Sequence, residues 1–459
     1  MTAASPHPRC APLLSALPLL FALLSFLIAS RSTSVPAPTL HQQLEDLSTQ
    51  VVHNLHHLAT ISESPHHLNR PFLSNSSKQA HALLHRLFTQ AALSATADAA
   101  GNVIATLTCA TTPSSTTRPL ILLGSHHDTV VDAGRFDGTL GIFTALAVAQ
   151  SFRSSICTLP FDISIIAFDD EEGNNPFSVT NFGARAFVAH DLSHITALPT
   201  FQQAHHALHG PSDVPSAVRH AAISKHLKNR LLAYVELHIE QGPVLEAAHR
   251  PVGVVDAIAG QTRIMIRVDG QAKHAGTTPM NQRRDALTAA AQLVLHVEDV
   301  ARHFHAERLV ATVGKLDVYP AATNVVPGSV SFSVDVRAPS DRVRNRAVQL
   351  IRHASQRVAL ARSVQVDLQI VHQVDAVRMS DWLVDGFKHV LGDDAVVLTS
   401  GAGHDAQFMK EITDVGMLFV RCKDGISHSP LEAVSDQDVF QGVLALRKVI
   451  ERIAEKAVA

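Results

Sequence analysis

Apolar and polar positions divide the first half of the chain into helical and strand-like segments. From Leu40 to Leu93 the apolar residues recur at helical spacing. Short apolar runs bounded by polar turns follow, and they predict buried strands at 103–107, 120–123 and 163–168. A helical pattern from Leu140 to Phe152 separates the last two runs, which predicts a βαβ unit. We therefore expect an α/β domain with a largely parallel central sheet flanked by helices.

The pattern changes near Pro251. Alternating β-rich runs at 264–268, 310–313 and 330–336 surround a helical stretch from Asp285 to Ala301. These segments predict a smaller α+β domain at 257–372. From Val374 onward we expect a helix, the strand Val415 to Val420 and a C-terminal helix. This tail would complete the first domain, which would consist of residues 40–256 and 373–459.

The N-terminus has the composition of a secretory signal sequence at residues 1–30. Arg9 precedes an apolar run from Ala11 to Ala29, and a stretch rich in Ser, Thr and Pro follows. An uncleaved membrane anchor is the alternative, because the apolar run is slightly long. We expect localisation in the endoplasmic reticulum or secretory pathway. In that compartment Asn75 of the sequon Asn-Ser-Ser is a candidate glycan site.

Length, charge and cysteine content narrow the class of protein. With 459 residues, the chain is too long for one ordinary core. A net charge of −3 provides no field that would attract nucleic acid, and we expect no such partner. The four cysteines are too few and too scattered for a disulfide framework or a Cys-based zinc site. A disulfide between two of them is left open.

The first candidate chemistry follows the strand at 120–123. In Gly-Ser-His-His-Asp-Thr, His126 suits a metal ligand and Asp128 suits the group that orients its imidazole. Asp137, on a Gly-flanked turn, is a candidate bridge between two ions. The alternative is that these are polar turn residues, with an Asp capping the next helix.

The second candidate is Asp-Asp-Glu-Glu at 169–172, directly after the next strand. Four adjacent acids repel one another, so a bound cation explains them better than a solvated loop does. In a hydrolytic site, Glu172 would bind metal and Glu171 would accept the proton of the attacking water.

The third candidate lies at 234–242, where alternation places Glu236, His238 and Glu240 on one face of a strand. An edge strand with one wet face is the alternative. Loops around His404 and His428 complete the candidates, although a single loop histidine is more often ordinary than catalytic. Together the clusters supply five N/O ligands for two divalent ions, with Zn²⁺, Mn²⁺ and Co²⁺ all open: His126, Asp137, Glu172, His238 and His428.

Several motifs in order carry a family resemblance from about Leu40 to Glu451. The pattern G-S-H-x-D-T…G-x-x-D-G, D-E-E-G, V-E-L-H-I-E-Q-G-P-V-L-E, H-A-G-T-x-P-M, N-V-V-P-G…D-x-R and G-I-S-H-S-P resembles the di-metal aminoacylase and carbamoylase branch of the metallopeptidases. Within that branch, stretches such as VGVVDAIAGQTR and SGAGHDA look most like the plant-type allantoate amidohydrolases (allantoate deiminases).

The resemblance implies a catalytic domain interrupted by a dimerisation domain, in a homodimer. His126 and His238 would hold one ion, Glu172 and His428 the other, and Asp137 would bridge them. Asp128 would orient His126, and Glu171 would be the general base. His274 would reach the partner subunit's site and stabilise the oxyanion. Asn324 and Arg337 would bind the substrate carboxylate, and the remaining implied substrate-binding residues are Gln241, His404, Gly425 and Ser427.

The resemblance also implies a reaction. A metal-activated water would attack a ureido carbon of allantoate, and ammonia, carbon dioxide and ureidoglycine would form, with Mn²⁺ as the usual metal. The alternatives are hydrolysis of an N-carbamoyl amino acid or of ureidoglycolate and, more remotely, a secreted di-zinc exopeptidase or a non-catalytic binding protein on the same fold.

Two departures from the family pattern stand out. Gly173 is followed by Asn-Asn-Pro-Phe where relatives commonly have x-Arg-Phe, so this loop is one residue longer and lacks the arginine. Asp424 stands where a glycine is usual, which would place an extra carboxylate near an anionic substrate.

Overall fold

The computed structural model describes residues 39–110, 118–177, 179–210, 213–220 and 228–458. The chain divides into a short N-terminal unit, residues 1–43, and a large compact unit, residues 44–459. Of the short unit, the described residues 39–43 include the first residues of helix α1 (Leu40–Ala59). The predicted signal sequence at 1–30 lies outside the described residues. None of the described helices is both long and apolar enough to cross a bilayer.

A nine-stranded sheet forms the larger layer. In chain order its strands are β1 (Ser94–Ala97), β2 (Val103–Leu107), β3 (Leu120–His126), β4 (Asp162–Phe168), β5 (Leu231–Ile239), β6 (Val252–Ile258), β14 (Val377–Arg378), β15 (Val397–Ser400) and β16 (Asp414–Val420). Their order in the sheet is β1-β2-β4-β3-β5-β16-β6-β14, and β15 also pairs with β6. The four central strands, β4, β3, β5 and β16, are parallel to one another. This arrangement confirms the predicted α/β class and places the carboxyl ends of these strands at one edge of the sheet.

The helices that flank this sheet share one apolar core with it. They are α1, α2 (Asn75–Gln90), α3 (Thr139–Ser151), α11 (Asp381–Leu391) and α13 (Asp436–Val458). Helix α3 is apolar on all sides, and every residue from Thr139 to Ala149 is buried, as expected for a helix covered by other elements. Shorter helices lie in the connections between strands of this sheet: α4 (Phe182–Phe187), α5 (Ser193–Thr196), α6 (Pro199–His209), α7 (Val214–His220), α8 (Val244–Ala247) and α12 (Ala406–Met409).

A five-stranded antiparallel sheet forms the smaller layer. The elements of this stretch of chain are β7 (Gly260–Asp269), β8 (Lys273–His274), α9 (Ala286–His303), β9 (Val310–Thr312), β10 (Leu316–Tyr319), β11 (Val325–Val326), β12 (Ser329–Ala338), α10 (Asp341–Arg362) and β13 (Gln365–Val374). The strand order in the sheet is β10-β12-β7-β13, with β9 paired to β12. Alternate residues of β7 are buried against the two helices, in a core separate from the first. Strands β8 and β11 form a separate two-stranded ribbon.

The chain passes between the two sheets at Ala259 and again after Val374. The predicted boundaries, 257 and 372, fall inside β6 and β13, so the sheets change slightly later in the chain. Buried Arg344 donates to the carbonyl of Val374 and pairs with Asp341 at 2.7 Å. A Cβ at Gly260 would lie 2.6 Å from the backbone nitrogen of Ala376 and 2.4 Å from the guanidinium of Arg344, so only glycine fits this crossing.

A disulfide joins Cys109, after β2, to Cys157, in the turn before β4. The sequence left such a pairing open without selecting the partners. Cys422 is buried and free, and Cys10 lies outside the described residues.

Candidate metal centre

The candidate site lies at the carboxyl edge of the four parallel strands. His126 is the last residue of β3, Glu171 and Glu172 follow β4, His238 is the penultimate residue of β5, and His428 lies in the loop after β16. Open α/β sheets bind ligands at this edge because all strand-following loops converge there. The topology thus brings together residues that are up to about 300 positions apart in the chain.

The first ligand set consists of His126, Asp137 and His238, all of which are buried. Oδ1 of Asp137 lies 3.0 Å from Nε2 of His238 and 3.6 Å from Nε2 of His126. The two imidazole Nε2 atoms are 3.5 Å apart. Three donor atoms therefore face one small volume.

The second ligand set consists of Asp137, Glu172 and His428. Nε2 of His428 lies 3.2 Å from Oδ2 of Asp137 and 3.5 Å from Oε2 of Glu172. Asp137 thus faces the first set with one oxygen and the second set with the other, as a bridging carboxylate requires. The His428 side chain is 49% exposed, so the centre is open to solvent on this side.

These donors fit two divalent ions. Ligand atoms at about 2.0–2.2 Å from a tetrahedral ion lie about 3.3–3.6 Å from one another, and the distances above fall in or near that range. Burial and the neighbouring carboxylates Asp137 and Glu171 raise the pKa of Glu172 well above its usual value. A bound cation would stabilise the ionised carboxylates in this buried cluster. Nitrogen and oxygen donors without thiolate suit Mn²⁺, Zn²⁺ or Co²⁺.

Neighbouring groups orient the ligands. Oδ1 of Asp128 lies 3.4 Å from Nδ1 of His126, and the same carboxylate accepts the backbone N–H groups of Glu171 and Glu172 at 3.0 and 3.2 Å. Nδ1 of His238 is 2.9 Å from the carbonyl oxygen of Ile239. Each imidazole is thereby held with Nε2 toward Asp137, and Asp128 also fixes the loop after β4.

Replacing Asp128 with Asn should weaken metal binding by about 10–100-fold, the usual effect of removing a partner of a metal-binding histidine. Asn keeps the shape of the side chain but loses the negative charge, and its NH₂ group cannot accept a backbone N–H. Titration of the metal-free protein with Mn²⁺ in a calorimeter measures this change. Unchanged affinity would contradict the orienting role of Asp128.

Glu171 lies beside the first ligand set without being part of it. Its Oε2 atom is 4.0 Å from Nε2 of His126, and Nδ2 of Asn181 donates to Oε1 at 3.3 Å. Burial raises the pKa of Glu171 well above its usual value, while His126 opposes this shift and nearby acids, Asp405 first, add to it. A carboxyl group with a raised pKa next to a metal centre suits a group that accepts and returns a proton.

Three of the predicted substrate-binding residues also contact this centre or its loop. Nε2 of Gln241 lies 2.9 Å from Oδ2 of Asp137 and 3.3 Å from Nε2 of His428. The Ser427 hydroxyl donates to Asp137 at 2.9 Å. Gly425 has a φ of 64°, and a Cβ there would lie 2.7 Å from the backbone of Gly242, so the loop before His428 requires glycine.

His404 lies behind the first ligand set. Its ring packs edge-on against His238, with centroids 4.5 Å apart, and Nε2 is 2.7 Å from the Ser400 hydroxyl. It is fully buried. Within this subunit its contacts are those of a group that packs behind His238.

His274, Asn324 and Arg337 lie in the smaller layer. His274 and Asn324 are exposed on or beside the β8–β11 ribbon, and none of their hydrogen bonds among the described residues reaches the metal centre. Arg337 pairs with Asp335 at 3.0 Å and donates to the carbonyl of Gly401 at 2.6 Å, in the loop that continues to His404. The single subunit therefore does not bring these three residues together with the ligand sets.

Sequence reasoning missed Glu432 and the contacts of Glu236. Oε1 of Glu432 accepts the backbone N–H groups of Phe136 and Asp137 at 2.8 and 3.2 Å, and Oε2 lies 2.9 Å from the Ser427 hydroxyl oxygen. Glu432 thus links the Asp137 turn to the His428 loop, and burial raises the pKa of Glu432 to about 7.

Glu236 lies on the central strand β5, and the hydroxyl groups of Ser125 and Tyr234 donate hydrogen bonds to its carboxylate.

The structure shows the surroundings of the two departures from the family pattern. Asn174 donates to Asn69 at 2.9 Å and to the carbonyl of Thr129 at 3.0 Å, and Asn175 donates to Asp170 at 2.6 Å. The loop after Glu172 is therefore anchored by its own asparagines.

The second departure, Asp424, is exposed and has a φ of 56°. Its backbone N–H donates to the carboxylate of Glu246 at 2.8 Å.

Comparison with known proteins establishes the class. Residues 122–452 match the model of peptidase family M20/M25/M40, and the chain belongs to that family. The matched segment contains all five residues of the two ligand sets.

Individual relatives indicate which members of the family this chain resembles. The chain is 36% identical to a probable allantoate deiminase of Oryza sativa subsp. japonica, over 90% of each chain. It is 35% identical to an N-carbamoyl-L-amino acid amidohydrolase of Geobacillus stearothermophilus, over 82% of this chain and 91% of the relative. A solved amidase of the hydantoinase/carbamoylase family from Burkholderia multivorans superposes with a TM-score of 0.78 at 29% identity, covering 88% of this chain and 97% of that structure.

Proposed function

We propose that this protein hydrolyses allantoate to ureidoglycine, ammonia and carbon dioxide at a two-metal centre. The observation that carries the proposal is the pair of ligand sets that share Asp137, one oxygen facing each set. The similarity to the Oryza protein over 90% of both chains supports allantoate as the substrate.

Two divalent ions would be held by His126, Asp137 and His238 on one side and by Asp137, Glu172 and His428 on the other. Such a pair would lower the pKa of a bound water and polarise the scissile group. Glu171 accepts the proton of the attacking water and passes it to the leaving nitrogen, and Asn181 holds its carboxylate in place. Gln241 and Ser427, which lie against Asp137, offer hydrogen bonds to the ureido group.

Mn²⁺ is the proposed metal. The second ligand set contains two carboxylates and one imidazole, and carboxylate-rich sites favour harder ions such as Mn²⁺. Zn²⁺ and Co²⁺ are the alternatives, because the first set has two imidazoles.

Ammonia release from allantoate tests the proposal directly. Purified protein reconstituted with Mn²⁺ is supplied separately with allantoate, ureidoglycolate and N-carbamoyl-L-amino acids. We expect turnover of allantoate that a chelator abolishes and added Mn²⁺ restores. The second candidate, an N-carbamoyl-L-amino-acid hydrolase, is favoured by the 35% identity to the Geobacillus enzyme. Cleavage of carbamoyl amino acids alone would establish that candidate and reject allantoate.

A homodimer would complete the site. His274 is exposed on the β8–β11 ribbon, and the smaller layer also exposes large apolar side chains, among them Leu295 and Leu360. Exposed apolar surface of this kind is typical of subunit contacts. We propose that the smaller layer forms the dimer contact and that His274 stabilises the oxyanion in the partner's site, with Asn324 and Arg337 binding the substrate carboxylate.

Mixed dimers test this arrangement. Glu171→Gln and His274→Ala should each be inactive or strongly impaired, but a random mixture of the two should recover about a quarter of wild-type activity. Half of the dimers are then hybrids, and one of the two sites in each hybrid has both Glu171 and His274 intact. Activity is measured after co-expression with two different affinity tags. No recovery in purified hybrids would show that His274 does not act across subunits.

We propose that the protein enters the endoplasmic reticulum. The signal-like residues 1–30 and the Cys109–Cys157 disulfide support this compartment, because disulfides persist in oxidising environments. Asn75 is exposed at the start of α2, where a glycan could be attached. Microscopy of a fluorescent fusion, with and without residues 1–30, tests the localisation, and a cytosolic signal from the full chain would reject it.

A further inference from the structure

A second histidine-rich cluster lies beside the metal centre and is not used by the mechanism. It consists of His81 on α2, His127 after β3 and Asp169 after β4, whose ligand atoms lie within 4.8 Å of one another. Consecutive residues of a strand point to opposite sides, so His127 points away from the ligand set that contains His126. His127 also occupies the position that the motif G-S-H-x-D-T leaves open.

We infer that His81, His127 and Asp169 form a third metal site, suited to Zn²⁺, which joins α2 to the two loops that carry the catalytic residues. Oδ2 of Asp169 lies 3.2 Å from Nε2 of His81 and 3.9 Å from Nε2 of His127. Two imidazoles and one carboxylate are a common ligand set for Zn²⁺. The distances from Asp169 to the two imidazoles are within a few tenths of an ångström of the spacing of about 3.3–3.6 Å between ligands of a tetrahedral ion.

Additional oxygens are available for a fourth position. The Ser77 hydroxyl lies 2.7 Å from Oδ2 of Asp169 and 3.3 Å from Nε2 of His81, and the carbonyl oxygen of Gly101 lies 3.4 Å from Nε2 of His127. A Cβ at Gly101 would come within 2.7 Å of Oδ2 of Asp169, so this approach requires glycine. The His81 side chain is 12% exposed, which gives an ion a path from solvent.

Hydrogen bonding alone explains this cluster poorly. His127 is fully buried, and its Nδ1 atom has no hydrogen-bond partner among the described residues. Its Nε2 atom has one long contact, 3.4 Å from the Gly101 carbonyl oxygen, and lies 3.9 Å from Asp169, which is too far for a hydrogen bond. A buried imidazole with so few partners is costly unless it binds something else. Coordination of a cation by Nε2 would replace the long contact to Gly101 with a stronger interaction.

The consequence for the enzyme is structural. His127 is flanked by His126 and Asp128, and Asp169 precedes Asp170 and Glu171. An ion bound to His127, Asp169 and α2 would fix the ends of β3 and β4, and therefore the spacing of the catalytic residues, without touching substrate.

Counting bound zinc tests the inference. The full-length protein is loaded with Zn²⁺, freed of excess ion and analysed by mass spectrometry of its metal content. We expect about three ions per subunit in wild type and one fewer in His81→Gln and in His127→Leu. The control is His85→Gln, one helical turn further along α2, where an exposed imidazole lies 3.2 Å from the Ala95 carbonyl oxygen. This variant should match wild type.

A third variant separates this inference from the proposed function. Asp137→Asn removes the shared ligand of the catalytic centre and should leave the third ion in place. If Asp137→Asn and His81→Gln remove different ions, the third site is established whatever the substrate proves to be. An ion count that His81→Gln and His127→Leu leave unchanged would overturn it. If both variants fail to fold by circular dichroism, a wild-type count of two or fewer decides against the site and a count of three supports it.

Discussion

Replacing Glu171 with Gln is expected to lower kcat for allantoate hydrolysis by about 10²–10⁴-fold, the usual contribution of a positioned general base. Glutamine keeps the hydrogen bond from Asn181, which reaches Oε1 at 3.3 Å, but cannot accept a proton. Since Glu171 is not a member of either ligand set, the variant should retain both ions. KM should change little, because the lost interaction belongs to the transition state.

The measurement combines steady-state ammonia release with metal analysis of the same sample. Glu411→Gln is the matched control, because that glutamate is half-exposed and pairs with His190. Turnover near the wild-type rate in Glu171→Gln would exclude Glu171 as the base. Loss of metal together with activity would instead assign Glu171 to the ligands.

Replacing Asp137 with Asn should have the second large effect. Oδ1 of Asp137 faces His126 and His238 and Oδ2 faces His428, so an amide nitrogen at either position removes a ligand atom. We expect the loss of at least one catalytic ion and a fall in kcat of more than about 100-fold. The fall should exceed this value because removing only a group that orients a ligand already costs up to about 100-fold in activity.

Asp132→Asn provides the control for that change. Asp132 lies five residues earlier in the same loop, is exposed, and has a φ of 59°, a conformation that Asn tolerates well. It should retain metal and activity. An Asp137→Asn variant with full metal content and normal turnover would refute the bridging role.

The proximity of the candidate ligands could be predicted because it depends on local pattern and on parallel topology. The buried runs at 120–123 and 163–168 form β3 and β4, which are parallel neighbours, so the residues that follow them meet at one edge. His238 belongs to the same edge because β5 is a central strand. The alternative of an edge strand with a wet face is wrong: β5 pairs with β3 and β16, and Glu236 is buried.

Contacts between distant segments could not be predicted in this way. Glu432 reaches the backbone of Phe136 and Asp137 across nearly 300 residues, and no motif marks it. The disulfide partners depend on how β2 and the turn before β4 approach each other. His81 gave no signal either, since an isolated histidine on an amphipathic helix has the pattern of an ordinary surface residue.

The arrangement of the smaller layer could be predicted only in part from the sequence. Its alternating strands and two helices follow from period-two and helical patterns. However, the crossing from the larger to the smaller sheet depends on Gly260 and buried Arg344. The change in sequence pattern predicted this boundary at 257, two residues before the crossing at Ala259. The roles proposed for His274, Asn324 and Arg337 would require a second subunit, because one folded chain does not bring these residues to the candidate metal centre.

The most direct test of the two-metal account is the anomalous scattering of crystals of the Mn²⁺-loaded protein, collected at the manganese edge. We predict two peaks about 3.5–4 Å apart, one between His126, Asp137 and His238 and the other between Asp137, Glu172 and His428. A single peak, or peaks away from Asp137, in crystals of protein that hydrolyses allantoate would contradict the account.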